Sequence, residues 1–129
     1  MNATVLIIED NEQNRYVVTF LLRARGYQIL HAENGAIGIE LAGRLRPDLI
    51  LLDIQLPGMD GYTVAGILKN DPALKHIPIV AITSYAMTGD REKIMATGVE
   101  GYLEKPINPE TFVAEIESLI RPARKESVE

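Results

Sequence analysis

Glu9-Asp10, Asp53, Thr83-Ser84 and Lys105 are the residues of this chain whose types can handle phosphate and a divalent cation. Each group follows a short apolar run. Carboxylates gathered at one point repel one another and lose hydration, so Glu9, Asp10 and Asp53 would call for a cation if the fold brought them together. Oxygen ligands select a hard divalent ion. With few protein ligands and room for water and a phosphoryl oxygen, Mg2+ is a better match than Ca2+, which prefers a fuller oxygen cage. Zinc is not expected, because neither His31 nor His76 stands at a strand end of this cluster and the chain has no cysteine. Asp53 would then be the nucleophile, attacking phosphorus to give an acyl phosphate. The cation and Lys105 would neutralise charge on the transferred oxygens, and Thr83 would offer one of them a hydroxyl.

Positioning these groups requires strands that end where they stand. The runs Thr4 to Glu9, Tyr27 to Ala32, Leu49 to Asp53, Ile79 to Thr83 and Gly101 to Leu103 predict five strands alternating with helices, the pattern of repeated βαβ units around a parallel sheet. Three of them, beginning at Thr4, Leu49 and Ile79, are nearly continuous apolar stretches, as strands covered on both faces should be. The more mixed Tyr27 run and the short Gly101 run are expected at the edges. In such a sheet the functional crevice lies beyond the carboxyl ends of the strands.

Helical periodicity fills the intervals. Val17, Val18, Leu21 and Leu22 form a stripe over Asn11 to Arg25 that stops at Gly26, and Asn34 precedes Ile37, Leu41 and Leu45, with Pro47 closing that segment. Val64, Ile67 and Leu68 mark a third helix ending near Asn70-Asp71-Pro72; a fourth, weakly patterned, covers Thr88 to Thr97. Asn108 and Pro109 open the last, whose apolar face is Phe112, Val113, Ile116, Leu119 and Ile120. Residues 1–121 are expected to form one domain, with residues 122–129 as a solvated, flexible tail.

The length of 129 residues suits a single core, and the net charge of −5 with few aromatics argues against a nucleic-acid surface, where counterion release rewards clustered Lys and Arg. The apolar run Val5 to Ile8 is too short for a signal sequence or membrane span, so a soluble, cytoplasmic protein with no membrane partner is expected.

The segments LIIEDN, LILLDIQLPGMDGY, IPIVAITSYA and YLEKPI carry a resemblance to response-regulator receiver domains, in order and spacing and over nearly the whole chain. That resemblance implies a flavodoxin-like (βα)5 doubly wound α/β sandwich with parallel strand order 2-1-3-4-5. It implies Glu9 and Asp10 as the acid pair, Asp53 as the phosphoacceptor, Thr83 as the switch hydroxyl, Lys105 as the conserved-type lysine and Tyr102 as the rotating aromatic. It also implies that the backbone carbonyl of Gln55 completes the Mg2+ shell, that Lys105-Pro106 is cis, and that Gln55 and Tyr85 govern the lifetime of the phosphate. Tyr85 would shield the acyl phosphate from water, whereas Gln55 would orient a water. The phosphoryl donor would be a histidine kinase or histidine phosphotransfer protein, and a downstream protein would read the face of helix four, strand five and helix five. A switch that modifies itself, monomeric or weakly dimeric, is the expectation, not a turnover enzyme. The Glu9-Asp10-Asn11 start with Asn14 and Arg15 resembles receivers of hybrid kinases and single-domain regulators of the DivK type.

Taken singly, each residue has a structural reading. Asp10 could only cap a helix, Asp53 could be a solvated strand end, Thr83 suits a strand by β-branching, and Lys105 suits any surface. Tyr102 could be a half-buried edge aromatic, and Met59, Met87 and Met95 read as packing. Their joint occurrence favours the receiver over a haloacid-dehalogenase-like phosphatase, which needs a second acid where Gln55 stands. It also favours the receiver over a flavodoxin, whose phosphate loop Glu9-Asp10-Asn11-Glu12 would repel its ligand. A degenerate receiver acting as a constitutive adaptor is the remaining alternative.

Overall fold

The computed structural model describes residues 3–84 and 88–119, without the side chains of residues 88 and 89. The expected tail, residues 122–129, lies outside the described residues, as do Tyr85, Met87 and Ile120. The elements run β1 (Thr4–Ile8), α1 (Glu12–Arg23), β2 (Gln28–Ala32), α2 (Gly35–Leu45), β3 (Leu49–Asp53), α3 (Gly61–Asn70), β4 (Ile79–Thr83), α4 (Thr88–Ala96) and β5 (Gly101–Glu104). A fifth helix, α5, follows over residues 112–119.

All strand pairs are parallel and the order is β2-β1-β3-β4-β5, so the flavodoxin-like arrangement and the edge placement of β2 and β5 hold. Side chains alternate across the sheet and therefore build two cores. Leu6, Ile8, Ile50, Leu52, Ile79 and Ala81 pack with Ala42, Val64, Leu68 and Ile94 of α2, α3 and α4. On the other face Val5, Ile7, Leu49, Leu51, Val80 and Ile82 meet Val18 and Leu22 of α1 and Phe112 and Ile116 of α5. This double cover explains why β3 and β4 are buried at every residue. Each Leu or Ile taken fully from water contributes about 1.5–3 kcal/mol.

Local signals set the helix ends close to expectation. Asn11, Asn34 and Asp60 cap α1, α2 and α3 by accepting the backbone N–H of Asn14, Ile37 and Thr63 at 2.9 Å each. Gly26, at φ 93, turns the chain after α1, where the Tyr27 N–H reaches back to the Leu22 carbonyl at 3.2 Å. The start of α5 is later than Pro109: the Asn108 Oδ1 takes the Glu110 N–H at 3.0 Å, and the regular helix opens at residue 112. The N-terminal ends of β4 and β5 are tied by Lys69, whose ammonium donates to the carbonyls of Lys75 and Ile77 and to Glu100 Oε2 at 3.0, 2.9 and 3.0 Å. Glu100 in turn accepts the Ile79 N–H at 2.7 Å. Among the described residues no helix is long and apolar enough to cross a membrane.

Candidate functional site

The order β1-β3-β4-β5 lines up the strand ends that carry Glu9, Asp53, Thr83 and Lys105 at one edge of the sheet. Glu9 stays in the ladder one residue beyond β1, its N–H donating to the Ala32 carbonyl at 3.0 Å, and its side chain is buried. Two contacts from the start of α1 hold it there. The Asn11 N–H donates to Glu9 Oε2 at 3.2 Å, and the Arg15 guanidinium reaches the Glu9 carbonyl at 3.1 Å. Asp10 is exposed.

Asp53 closes β3 and is only 3% exposed. Its Oδ1 accepts the Gln55 N–H at 3.0 Å, which orients the carboxylate. The loop that follows is drawn tight against the strand. The Gly61 N–H donates to the Ile54 carbonyl at 2.9 Å, and a Cβ at Gly61 would stand 2.7 Å from the Asp53 carbonyl and press on the Ile54 backbone. Only glycine lets α3 begin so close to the carboxyl end of β3.

From β5 the chain reaches Lys105, whose N–H donates to the Thr83 carbonyl at 2.9 Å; the Lys105-Pro106 bond is cis, as expected. The Lys105 ammonium lies 3.4 Å from Asp53 Oδ1 and 3.7 Å from Glu9 Oε1. One cation faces an acid cluster in which Glu9, Asp10 and Asp53 each place a carboxylate oxygen within 4.8 Å of the others. Burial, the hydrogen bond to Asp53 and its charge push the Glu9 carboxyl up to about 7, although Lys105 and the Asn11 N–H oppose the rise. An all-oxygen set with surplus negative charge fits a hard divalent cation such as Mg2+.

Thr83, 1% exposed, ends β4. Tyr102 pairs with Ala81, two residues before Thr83, so both side chains belong to the sheet face that carries α4. Tyr102 is half-buried and also lines a groove of about 520 Å3 with Arg91, Glu104, Ile107, Thr111 and Phe112. A second groove, of about 420 Å3, runs beside Lys105 between Asn14, Val17 and Ser84. The structure thus brings Glu9, Asp10, Asp53, Gln55, Thr83 and Lys105 to one crevice. His76 is exposed, and His31 instead shares a hydrogen bond with Thr19 on α1 at 3.1 Å.

Two contacts at the site have no counterpart in the sequence expectations. Arg15 reaches Glu9 through a backbone contact that no spacing announces. The Gln55 side chain bonds β4: its Nε2 donates to Thr83 Oγ1 at 3.3 Å and its Oε1 accepts the Ser84 N–H at 3.3 Å. Nothing in the local pattern around Gln55 signals a partner 28 residues away.

The sequence matches the profile of the response regulator receiver domain over residues 5–117. It is 44% identical over 123 residues to a polar-differentiation response regulator DivK from Brucella anthropi, an alignment spanning 95% of this chain and all of that protein. The structure is similar to the receiver domain of a Pseudomonas aeruginosa sensor histidine kinase, solved with a magnesium ion coordinated in its active site cleft. That likeness has a TM-score of 0.84 and 32% identity over 93% of this chain and 98% of the other. The chemotaxis protein CheY4 of Vibrio cholerae is similar with a TM-score of 0.86 and 28% identity, over 92% of this chain and 99% of that one.

Proposed function

Because the chain belongs to the response-regulator receiver family, we propose that it is a phosphorylation switch of a two-component or phosphorelay system with Asp53 as its acceptor. The observation that carries this reading is the convergence of three carboxylates within 4.8 Å of one another, with the Lys105 ammonium 3.4 Å from Asp53 Oδ1. An Asp53 carboxylate oxygen attacks the phosphorus of a phosphohistidine on a kinase or phosphotransfer protein. The new O–P bond forms as the P–N bond breaks, and the imidazole leaves with a proton from solvent. Lys105 stands where it can pair with a phosphoryl oxygen on Asp53, and the Thr83 hydroxyl offers a hydrogen bond to another.

Glu9, Asp10, Asp53 and the Gln55 carbonyl would hold Mg2+, which when bound neutralises phosphoryl charge. Arg15 and Asn11 keep Glu9 in place for that task. Output follows from Thr83 and Tyr102 sharing one sheet face: a Thr83 drawn toward the phosphoryl group leaves space for Tyr102, altering the groove between α4, β5 and α5 that a partner protein reads. Tyr85 and Gln55 belong to the same proposal as positions that set phosphate lifetime. Mass spectrometry after incubation with a small phosphodonor and Mg2+ tests the reading. Wild type should gain one acid-labile phosphate on Asp53 and Asp53→Asn none. Phosphate on Thr83, Ser84 or a histidine would sink it.

A further inference from the structure

Gln55 touches both halves of the switch. Its N–H holds the acceptor oxygen Asp53 Oδ1 at 3.0 Å, while its side-chain amide bridges to β4 at Thr83 Oγ1 and at the Ser84 N–H, each at 3.3 Å. A primary amide can donate and accept at once, so one side chain makes a two-point attachment between the carboxyl ends of β3 and β4. Both bonds are slightly longer than the usual range of about 2.7–3.2 Å, and Gln55 is only half-buried, so water can replace either partner at modest cost. Such an attachment favours one arrangement of the strand ends without locking it.

We propose that the Gln55 side chain is a strap that holds Thr83 in its resting position and lets go when Asp53 carries a phosphoryl group, so that Gln55 sets the balance between resting and active forms. This inference rests on the receiver reading. Gln55 is here a positioning residue: it acts through Thr83, and its side chain has no part in the transfer itself. A hydroxyl oxygen drawn toward a phosphoryl group on Asp53 moves out of reach of a donor already at 3.3 Å. The Ser84 bond then loses its companion. Release of the strap is thus a cost charged against activation, and removing the strap raises the fraction of protein that is competent before phosphorylation.

The test is a double-mutant cycle with beryllofluoride, a non-covalent mimic of the phosphoryl group, titrated at Mg2+ concentrations saturating for each protein. Gln55→Met keeps the length of the side chain and removes both amide bonds. It should bind beryllofluoride about fivefold more tightly than wild type, the effect of losing roughly one net hydrogen bond from the resting form alone. Without beryllofluoride, its amide NMR shifts around Tyr102 should lie part of the way from the resting toward the bound positions of wild type. In a Thr83→Ala background the same substitution should change affinity little, because the strap has lost its switch partner. Gln55→Ala serves as the second variant if Gln55→Met does not fold. Affinity that is unchanged or weaker in the Gln55 variant, or a gain that persists without the Thr83 hydroxyl, would overturn the strap while leaving the receiver reading in place. Wild type that binds no beryllofluoride would instead overturn the receiver reading.

Discussion

Lys105 Nζ stands 3.4 Å from Asp53 Oδ1, the oxygen that also accepts the Gln55 N–H, and thereby serves as an internal counter-ion in a crevice where two side chains, Glu9 and Asp53, are almost wholly buried. Two buried carboxylates against one ammonium leave negative charge in excess. The same imbalance that makes the crevice receptive to a cation makes the metal-free protein dependent on Lys105.

Lys105→Met should therefore destabilise the metal-free protein by about 1–3 kcal/mol, because the carboxylates lose their partner in a poorly solvated place. Mg2+ should recover much of the loss by taking over the neutralisation. Urea unfolding with and without Mg2+ measures both effects. A variant as stable as wild type without the metal would mean that these ion pairs contribute nothing net.

Glu9 predicts a pH dependence. Its carboxyl is raised from 4.5 to about 7 in the folded chain, so the folded state holds that proton more tightly than the unfolded state does. The resulting stability is fully present below about 4.5 and is lost as pH rises through about 7. Without Mg2+, the protein should lose on the order of 1–3 kcal/mol from this group across that window. Glu9→Gln, which keeps a neutral side chain, should flatten the profile. Mg2+ binding should strengthen over the same range, as it displaces the proton. Parallel pH profiles of wild type and Glu9→Gln would remove Glu9 as the titrating group.

Thr83 and Tyr102 lie on one face of adjacent strands, offset by two residues in register. Thr83→Ala should accept phosphate on Asp53 while losing the phosphate-dependent NMR shifts around Tyr102, Arg91 and Phe112. If those shifts persist in full, the hydroxyl is not the link between the acceptor and that groove.

At the opposite end of the sheet, Lys69 and Glu100 form a closed set of hydrogen bonds that makes no contact with the acid cluster. Lys69→Met should leave the Lys75 and Ile77 carbonyls and the Glu100 carboxylate short of a donor, costing about 2–4 kcal/mol. Phosphorylation of the folded fraction should proceed at the wild-type rate. Thermal unfolding together with a phosphodonor time course separates the two. A slowed transfer step would show that the two ends of β4 communicate.

How much of this was legible in the residues depends on distance along the chain. Strand identity was legible because burial on both faces demands unbroken apolar runs, as in LILLD and IVAIT, and the starts of α1 and α2 were legible because Asn11 and Asn34 act on an N–H only three residues away. The positions of Glu9, Asp53, Thr83 and Lys105 at or just after strand ends followed from the same pattern. Asn108 caps the last helix as its pattern announces, taking the Glu110 N–H on its side chain and the Phe112 N–H on its carbonyl, but residues 109–111 form a turn and the regular helix opens only at residue 112.

The sequence by itself determined which side chains would stand at the carboxyl edge of a parallel sheet, because strand ends and caps are short-range matters of burial and hydrogen bonding. Only the tertiary structure decided how those side chains pair. The 3.4 Å approach of Lys105 to Asp53, the grip of Arg15 on the Glu9 carbonyl, the elevated Glu9 carboxyl and the Gln55 bridge to Thr83 all depend on register and burial. These are set when β1, β3, β4 and β5 lie side by side, and an interaction that decays within a few ångströms leaves no trace in the order of residues far apart along the chain.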